Sequence, residues 1–302
     1  MATVKVKAYA KINLTLEITG VEGGYHMLDS LVASLDLFDF IVLKKRKDGL
    51  SRVTMKGLGS DSIAPEQNNA LKAAEAFSKK FGVNGADITV YKNIPIGGGL
   101  GGSSADVSGV LRGMAKLYDV TDEAGIEELA DALGSDVKYM LRGGYARMQG
   151  RGEKLTFLDV QQTLHFLMLT PKSSVSSKAC YQKYDELPMT LQWKESATEN
   201  AIAALRRRGI NDVGRYLTND LYVPALHLNP DVEKVYAEAA SFSPLGTVMT
   251  GSGSCVLALF ETKELCEWAK SRYRGKFTAQ VVKTVTPKNE RKKTRNLYRL
   301  EE

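Results

Sequence analysis

The feature that most constrains this 302-residue chain is the run Ile94-Pro95-Ile96-Gly97-Gly98-Gly99-Leu100-Gly101-Gly102-Ser103-Ser104-Ala105-Asp106. Five glycines fall within six residues and two serines follow. Upstream, residues 86–92 alternate apolar Ile88 and Val90 with polar neighbours, the spacing of a strand. Downstream, Val107, Val110, Leu111, Met114 and Leu117 fall at helical spacing. The predicted order is strand, glycine-rich loop, helix capped by serine. Glycine permits positive φ and close backbone approach, while a helix start offers unpaired N–H groups and partial positive charge. These are the properties of a phosphate-binding loop.

Other glycine patterns fit less well. Gly97, Gly99 and Gly102 satisfy the dinucleotide spacing G-x-G-x-x-G, but a dinucleotide strand runs straight into its first glycine. Here residues 92–96 intervene and include Pro95. A P-loop needs Gly-Lys-Ser/Thr after the glycines, and a protein-kinase loop needs His-Arg-Asp and Asp-Phe-Gly further on; the sequence has none of these. A flexible linker is the remaining alternative, although linkers seldom set so many glycines directly before two serines and an amphipathic helix.

Residues 4–8 and 12–18 alternate as adjacent strands, and Lys11 and Asn13 share the face opposite the Ile12/Leu14 stripe. A turn at Gly23-Gly24-Tyr25-His26 follows, then strands at 30–37, 40–45 and 52–56. Helices are expected at 68–81 and 122–133, the second ending at Gly134. Gly134-Ser135-Asp136 opens a further short helix, where an aspartate is by default an N-cap. The character shifts near residue 160. A buried strand at 164–169 leads into helices at 177–184, 198–208 and 230–240. Thr250-Gly251-Ser252-Gly253-Ser254 lies between strands at 247–249 and 255–260, as a tight hairpin turn would. A helix at 265–273 and a strand at 278–285 complete an α+β pattern in two domains, 1–160 and 161–302.

A formal charge of +6 and a pI near 9.0 suit anionic ligands. Part of the excess is the basic run 288–295, which has no interleaved aromatic residues to stack bases and so gives a nucleic-acid partner little support. No apolar run approaches the roughly 20 residues of a membrane span, and the first residues lack the continuous apolar stretch of a secretory signal. Cys180, Cys255 and Cys266 are odd in number and lack C-x-x-C spacing, so neither a disulfide framework nor a zinc site is expected. The expected setting is the reducing cytoplasm, with no membrane partner.

The loop P-x-G-x-G-L-G-G-S-S resembles the phosphate loop of the GHMP small-molecule kinases, such as galactokinase, homoserine kinase and mevalonate kinase. Its additional glycine before the serines is similar to one branch, the 4-diphosphocytidyl-2-C-methyl-D-erythritol kinases. That branch usually carries glycine where this chain has Ser103 and serine where it has Ala105, with register and length kept. Ala10-Lys11-Ile12-Asn13-Leu14, Gly24-Tyr25-His26, the segment 134–146 and Thr250-Gly251-Ser252-Gly253 resemble further family blocks in the same order. Lys138 stands where proline is common. The resemblance implies an α+β, two-domain GHMP kinase fold, with a ribosomal protein S5 domain 2-like N-terminal domain and a ferredoxin-like α/β C-terminal domain.

The same resemblance implies ATP as co-substrate with Mg²⁺, and phosphorylation of the 2-hydroxyl of a cytidine diphosphate-linked polyol by a monomer or weak homodimer. Lys11 and Asp136 would be catalytic and lie side by side. Pro95, Ile96, Gly97, Gly98, Gly99, Leu100, Gly101, Gly102, Ser103, Ser104 and Ala105, with Asn68 and Lys92, would bind ATP. Asn13, Tyr25, His26, Tyr181, Gly251, Ser252 and Gly253 would serve the substrate side, with Tyr25 and Tyr181 sandwiching the base. Ser104 is a candidate metal contact, and the remaining metal ligands stay open. Another GHMP kinase is the first alternative, against which stand the Gly-Tyr-His turn and the additional glycine. A non-catalytic ligand sensor is the second, against which stands the retention of Lys11 and Asp136.

Overall fold

The computed structural model describes residues 2–60, 68–187 and 195–286, so the basic run 288–295 lies outside the described residues. In chain order the first elements are β1 (Thr3–Asn13), β2 (Thr15–Glu22), β3 (Tyr25–Lys45), β4 (Arg52–Gly57), α1 (Asn69–Phe81), β5 (Ala86–Lys92) and α2 (Gly102–Tyr118). There follow α3 (Glu123–Leu133), α4 (Val137–Arg142), β6 (Tyr145–Gly150), β7 (Lys154–Leu158), β8 (His165–Thr170), α5 (Ser177–Glu186), α6 (Ala197–Arg206) and α7 (Ile210–Arg215). The last are β9 (Thr218–Asn219), α8 (Tyr222–Leu228), α9 (Asp231–Ala240), β10 (Gly246–Met249), β11 (Val256–Phe260), α10 (Lys263–Arg272) and β12 (Thr278–Val285). The chain divides into two units. The first comprises Met1–Ala10, Leu37–Ile96 and Leu100–Leu141, and the second Lys11–Asp36, Gly97–Gly99 and Arg142–Glu302.

In the first unit, the second half of β3 pairs antiparallel with β5 (Phe40↔Tyr91 to Lys45↔Ala86), and β4 runs parallel to β5. Ile41, Leu43, Ile88 and Val90 are buried, and Ile41 and Leu43 lie against α2. Helix α1 begins where Asn68 accepts a hydrogen bond from Ala70 N at 2.9 Å and ends at Gly82 in the left-handed region. Its fully buried Phe77 contributes on the order of 2–3 kcal/mol by leaving water. Gly109 and Gly113 bring α2 close to the sheet. A Cβ on Gly109 would lie 2.5 Å from Ile41 Cδ1, and one on Gly113 would lie 2.3 Å from Leu43 Cδ1.

Two expectations about this unit are corrected. Helix α2 has no serine cap: its N-cap is Gly101, at φ 69°, without a side-chain cap bond, and Ser103 and Ser104 fall inside the first turn. The strands expected at 30–37 and 40–45 are one 21-residue strand, β3. The strand runs on through residues 38–39, where Asp39 is buried with its Oδ1 accepting from Asn93 N and Ile94 N.

The second unit holds two antiparallel arrays. In one, the first half of β3 lies between β2 (Glu17↔Asp29) and β6 (Leu28↔Gly150 to Ala33↔Tyr145), with β7 beyond β6 and β9 parallel to β2. In the other, the order is β10-β11-β8-β12, and β12 reaches β3 at Thr284↔Leu35. All five residues of β11 are buried, against α9 and α10 among others. Strands β6 and β7 and the short helices α7 and α8 are not among the expected elements, and α8 contains Pro224. Among the described residues, no helix is long and apolar enough to cross a membrane.

Candidate active site

The first unit builds an anion-accepting helix start. At the N-terminus of α2 the N–H groups of the first turn have no intrahelical partner, and no side chain caps them. They point where an anion gains both hydrogen bonds and the helix dipole. Exposed Ser103 accepts a hydrogen bond from Asn69 Nδ2 at 3.0 Å. Ser104 is half-buried, and its Oγ lies 3.9 Å from the position of a Cβ on Gly134. The segment Gly134-Ser135-Asp136 therefore comes up to the helix start. Half-buried Asp136 opens α4, its carbonyl accepting from Met140 N at 3.1 Å.

Below this helix start lies a buried ionic cluster. Lys92 Nζ donates to Asp39 Oδ2 and, at 2.7 Å, to Asp106 Oδ2. The three side chains are 3%, 0% and 6% exposed. Burial pushes the Asp106 carboxyl up to about 7, against the pull of Lys92 and with the help of the Asp39 charge. Burial depresses the Lys92 ammonium, but the charges of Asp106 and Asp39 outweigh it and raise it overall. Asn68, beside α1, is 5% exposed and spends its Oδ1 on the α1 cap.

The second unit brings three distant segments together. Buried Lys11 donates from Nζ to Asn13 Oδ1, and Asn13 Nδ2 donates to Ser30 Oγ at 2.8 Å. Asn13 N donates to Thr250 Oγ1 at 3.1 Å, and Thr250 Oγ1 in turn donates to Gly99 O at 3.3 Å. Cys255 N donates to Gly98 O at 3.2 Å. Thr250-Gly251-Ser252-Gly253 lies in the β10–β11 hairpin loop, with Thr250 N bonded to Cys255 O, and it also packs on Gly99 backbone to backbone. Asn219 Nδ2 holds it from behind, donating to Met249 O at 2.6 Å and Gly251 O at 2.8 Å. The Ser252 hydroxyl meets that of Ser177 at 2.8 Å.

An aromatic cluster stands at the start of β3. His26 stacks on Tyr181 with centroids 4.8 Å apart, and Tyr184 meets its edge at 5.7 Å. His26 Nε2 is 2.7 Å from Asp185 Oδ1, so in the neutral ring the proton sits on Nε2 and Nδ1 is left as an acceptor. Tyr25 is exposed and carries the Arg151 guanidinium 4.8 Å from its ring.

Sequence reasoning passed over Asp39, Asn69, Asp106, Asp185 and Asn219. Asp106 carried a signal: it sits four residues before Val110, on the apolar stripe of α2, where a carboxylate needs a buried partner. Asp185 and Asn219 carried none, because their partners are far away in sequence. Among the described residues there is no cluster of three His, Cys, Asp or Glu side chains. A Mg²⁺ ion needs no such cage, since it takes one or two protein oxygens and completes its shell with substrate phosphates and water. The Ser104 hydroxyl and the Asp136 carboxylate are oxygens of that kind, so the residues fit this ion.

Two family models match the chain, GHMP kinases N terminal domain over residues 68–146 and GHMP kinases C terminal over residues 201–275. A 4-diphosphocytidyl-2-C-methyl-D-erythritol kinase of Caldicellulosiruptor saccharolyticus is 34% identical over 289 residues, covering 94% of this chain and 97% of the relative. The same-named protein of Clostridium beijerinckii is 32% identical, covering 92% of this chain and 100% of the relative. A crystal structure of 4-(cytidine 5'-diphospho)-2C-methyl-D-erythritol kinase superposes with a TM-score of 0.73 at 28% identity, over 92% of this chain and 99% of that one. Homoserine kinase from Cytophaga hutchinsonii superposes at 0.71 with 18% identity, over 95% of each chain, a likeness of fold.

Proposed function

This chain belongs to the GHMP kinases, in the branch of the 4-diphosphocytidyl-2-C-methyl-D-erythritol kinases, and from that premise we propose that it transfers the γ-phosphoryl group of ATP to the 2-hydroxyl of 4-diphosphocytidyl-2-C-methyl-D-erythritol. The observation that carries this reading is the hydrogen-bonded chain from Lys11 through Asn13 and Thr250 to Gly99, which ties a buried cation to a glycine loop.

Phosphoryl transfer asks a protein mainly to position reactants and to neutralise charge. The segment 95–105 takes the ATP phosphates, with the start of α2 supplying N–H donors, and Asn68 lies on the adenine side. Gly251, Ser252 and Gly253 border the phosphates from the second glycine loop. Ser104 and Asp136 would hold Mg²⁺, which would supply charge neutralisation at the phosphates. Asp136 orients the attacking hydroxyl and accepts its proton, and Lys11 stabilises the negative charge that develops. A nearby cation weakens a carboxylate as a base. In a loose transition state little proton removal is needed early, so orientation counts for more than basicity.

Asn13 takes the erythritol end. Tyr25 and Tyr181 offer aromatic faces to cytosine, and His26 presents Nδ1 to its exocyclic amino group. The protein acts in the cytoplasm as a monomer or weak homodimer, without nucleic acid; its free, buried Cys180, Cys255 and Cys266 suit a reducing compartment. The test is ATP consumption by the purified protein with a panel of alcohols. Turnover with the cytidyl substrate alone is expected. Turnover with homoserine or mevalonate, but not with it, rejects the substrate assignment.

A further inference from the structure

We propose that Asp39, Lys92 and Asp106 form a buried clamp that holds the phosphate loop's two flanks in register, so that Lys92 serves nucleotide binding as a positioning residue rather than by touching the nucleotide. The proposal rests on the phosphate-loop reading of α2 given above.

Lys92 is the last residue of β5, just before the glycine run, and Asp106 lies in α2, just after it. One ammonium donates in both directions: to Asp106 Oδ2 at 2.7 Å on the helix side, and to Asp39 Oδ2 on the sheet. Asp39 also fixes the chain leaving β5, since its Oδ1 accepts from Asn93 N at 2.6 Å and Ile94 N at 2.8 Å. The Lys92 Nζ lies 3.5 Å from the position of a Cβ on Gly102, directly behind the first residue of α2. Strand end and helix start are therefore pinned to a common point.

Charge excludes the simpler role for Lys92. Its ammonium sits between two carboxylates, so the cluster is at most neutral and offers no net positive field to a phosphate. With its side chain 3% exposed, the lysine is also withdrawn from solvent. Nor does stability explain the cluster, because apolar residues of similar volume commonly serve a buried core as well or better. Asp106 Oδ1 is buried with no hydrogen-bond partner among the described residues, a cost that apolar packing would not incur. What directional ionic bonds add over apolar contacts is a fixed relative placement of the groups that make them.

The test is calorimetric binding of a non-hydrolysable ATP analogue to the full chain, paired with steady-state kinetics. Asp106→Ala is expected to weaken analogue binding at least tenfold, with kcat at saturating ATP and the KM for the alcohol substrate within threefold of wild type. Asp106→Asn, which keeps an oxygen for Lys92, is expected to recover affinity to within threefold. A folded Asp106→Ala variant with wild-type affinity overturns the clamp, as does an Asp106→Asn variant no better than the alanine. Should Asp106→Ala not fold, Lys92→Arg takes its place: it keeps the charge, moves the pinning point and is expected to lose tenfold, and unchanged affinity overturns the proposal. Gly101→Ala, strained at φ 69°, separates the two claims. If it too leaves affinity intact, the phosphate-loop reading fails; if it abolishes binding while Asp106→Ala does not, the clamp alone fails.

Discussion

The carbonyl oxygen of Thr250 stands where a side chain on Gly99 would have to go, 1.9 Å from the position of its Cβ. The carbonyl belongs to a hairpin loop whose hydroxyl also bonds back to Gly99 O, so neither partner can move away alone. Gly99→Ala, which also meets an unfavourable φ of 77°, is expected to lower kcat/KM for ATP at least about 100-fold. Wild-type kinetics in that variant would show that the approach of the two loops has no bearing on turnover.

Asp136→Asn and Lys11→Ala are each expected to lose at least about two orders of magnitude in kcat, as the loss of proton acceptance or charge stabilisation would. Thermal melts of both variants separate this from unfolding, which matters for Lys11 because it also bonds to Asn13. A folded variant that turns over at the wild-type rate refutes the role assigned to that residue.

In the proposed function, Asp185 would act on the substrate only through His26. Its side chain is 57% exposed, so its hydrogen bond with His26 adds little stability, and Asp185→Ala should melt within about 2 °C of wild type. The KM for the cytidyl substrate should rise roughly three- to tenfold while the KM for ATP stays put, as loss of one orienting hydrogen bond implies. Equal changes in both constants would contradict this division of labour.

Stability should respond to Asp106 with a definite sign. Its carboxyl is raised to about 7 in the folded protein, mainly by burial, from an ordinary value near 3.8. Between these values the folded chain holds a proton that the unfolded chain has released, so this group destabilises the fold progressively as pH rises from about 4 to 7. Asp106→Asn carries no such charge. Its melting temperature relative to wild type should therefore climb between pH 5 and pH 8, and a flat difference would reject the raised value.

The two serines of the loop should part company. Ser103 is already engaged by Asn69, whereas Ser104 faces Gly134 on the side of Asp136. Ser104→Ala is expected to raise the Mg²⁺ concentration needed for half-maximal rate several-fold, and Ser103→Ala to leave it within about twofold. A magnesium titration of both variants decides the matter, and the reverse order would move the metal contact to Ser103.

Local periodicity carried most of the secondary structure. Strand β5 runs over the residues whose alternation announced it, and α1 and α3 begin and end within a residue of their expected bounds. Failures came where a distant partner overrides a local signal. Two strands are expected where β3 runs unbroken, and within it Asp39 is satisfied by Lys92 and two backbone amides. Serines before an amphipathic helix suggest a cap, yet Gly101 takes that position and leaves the amides unclaimed. The glycine loop, Lys11 and Asp136 stood out by motif. Asp106 was legible only as a carboxylate on an apolar stripe, and Asp185 not at all, because its meaning lies in a pairing made only by the folded chain.

The bare start of α2 has one more implication. A capping side chain typically adds about 1 kcal/mol to a helix, and this helix goes without. Ligand oxygens arriving there would supply the missing acceptors, and occupancy at a hundred times the dissociation constant adds about 2.7 kcal/mol to the folded state. The lifetime of this protein in a cell would then follow the energy charge, with resistance to proteolysis falling when triphosphate runs low.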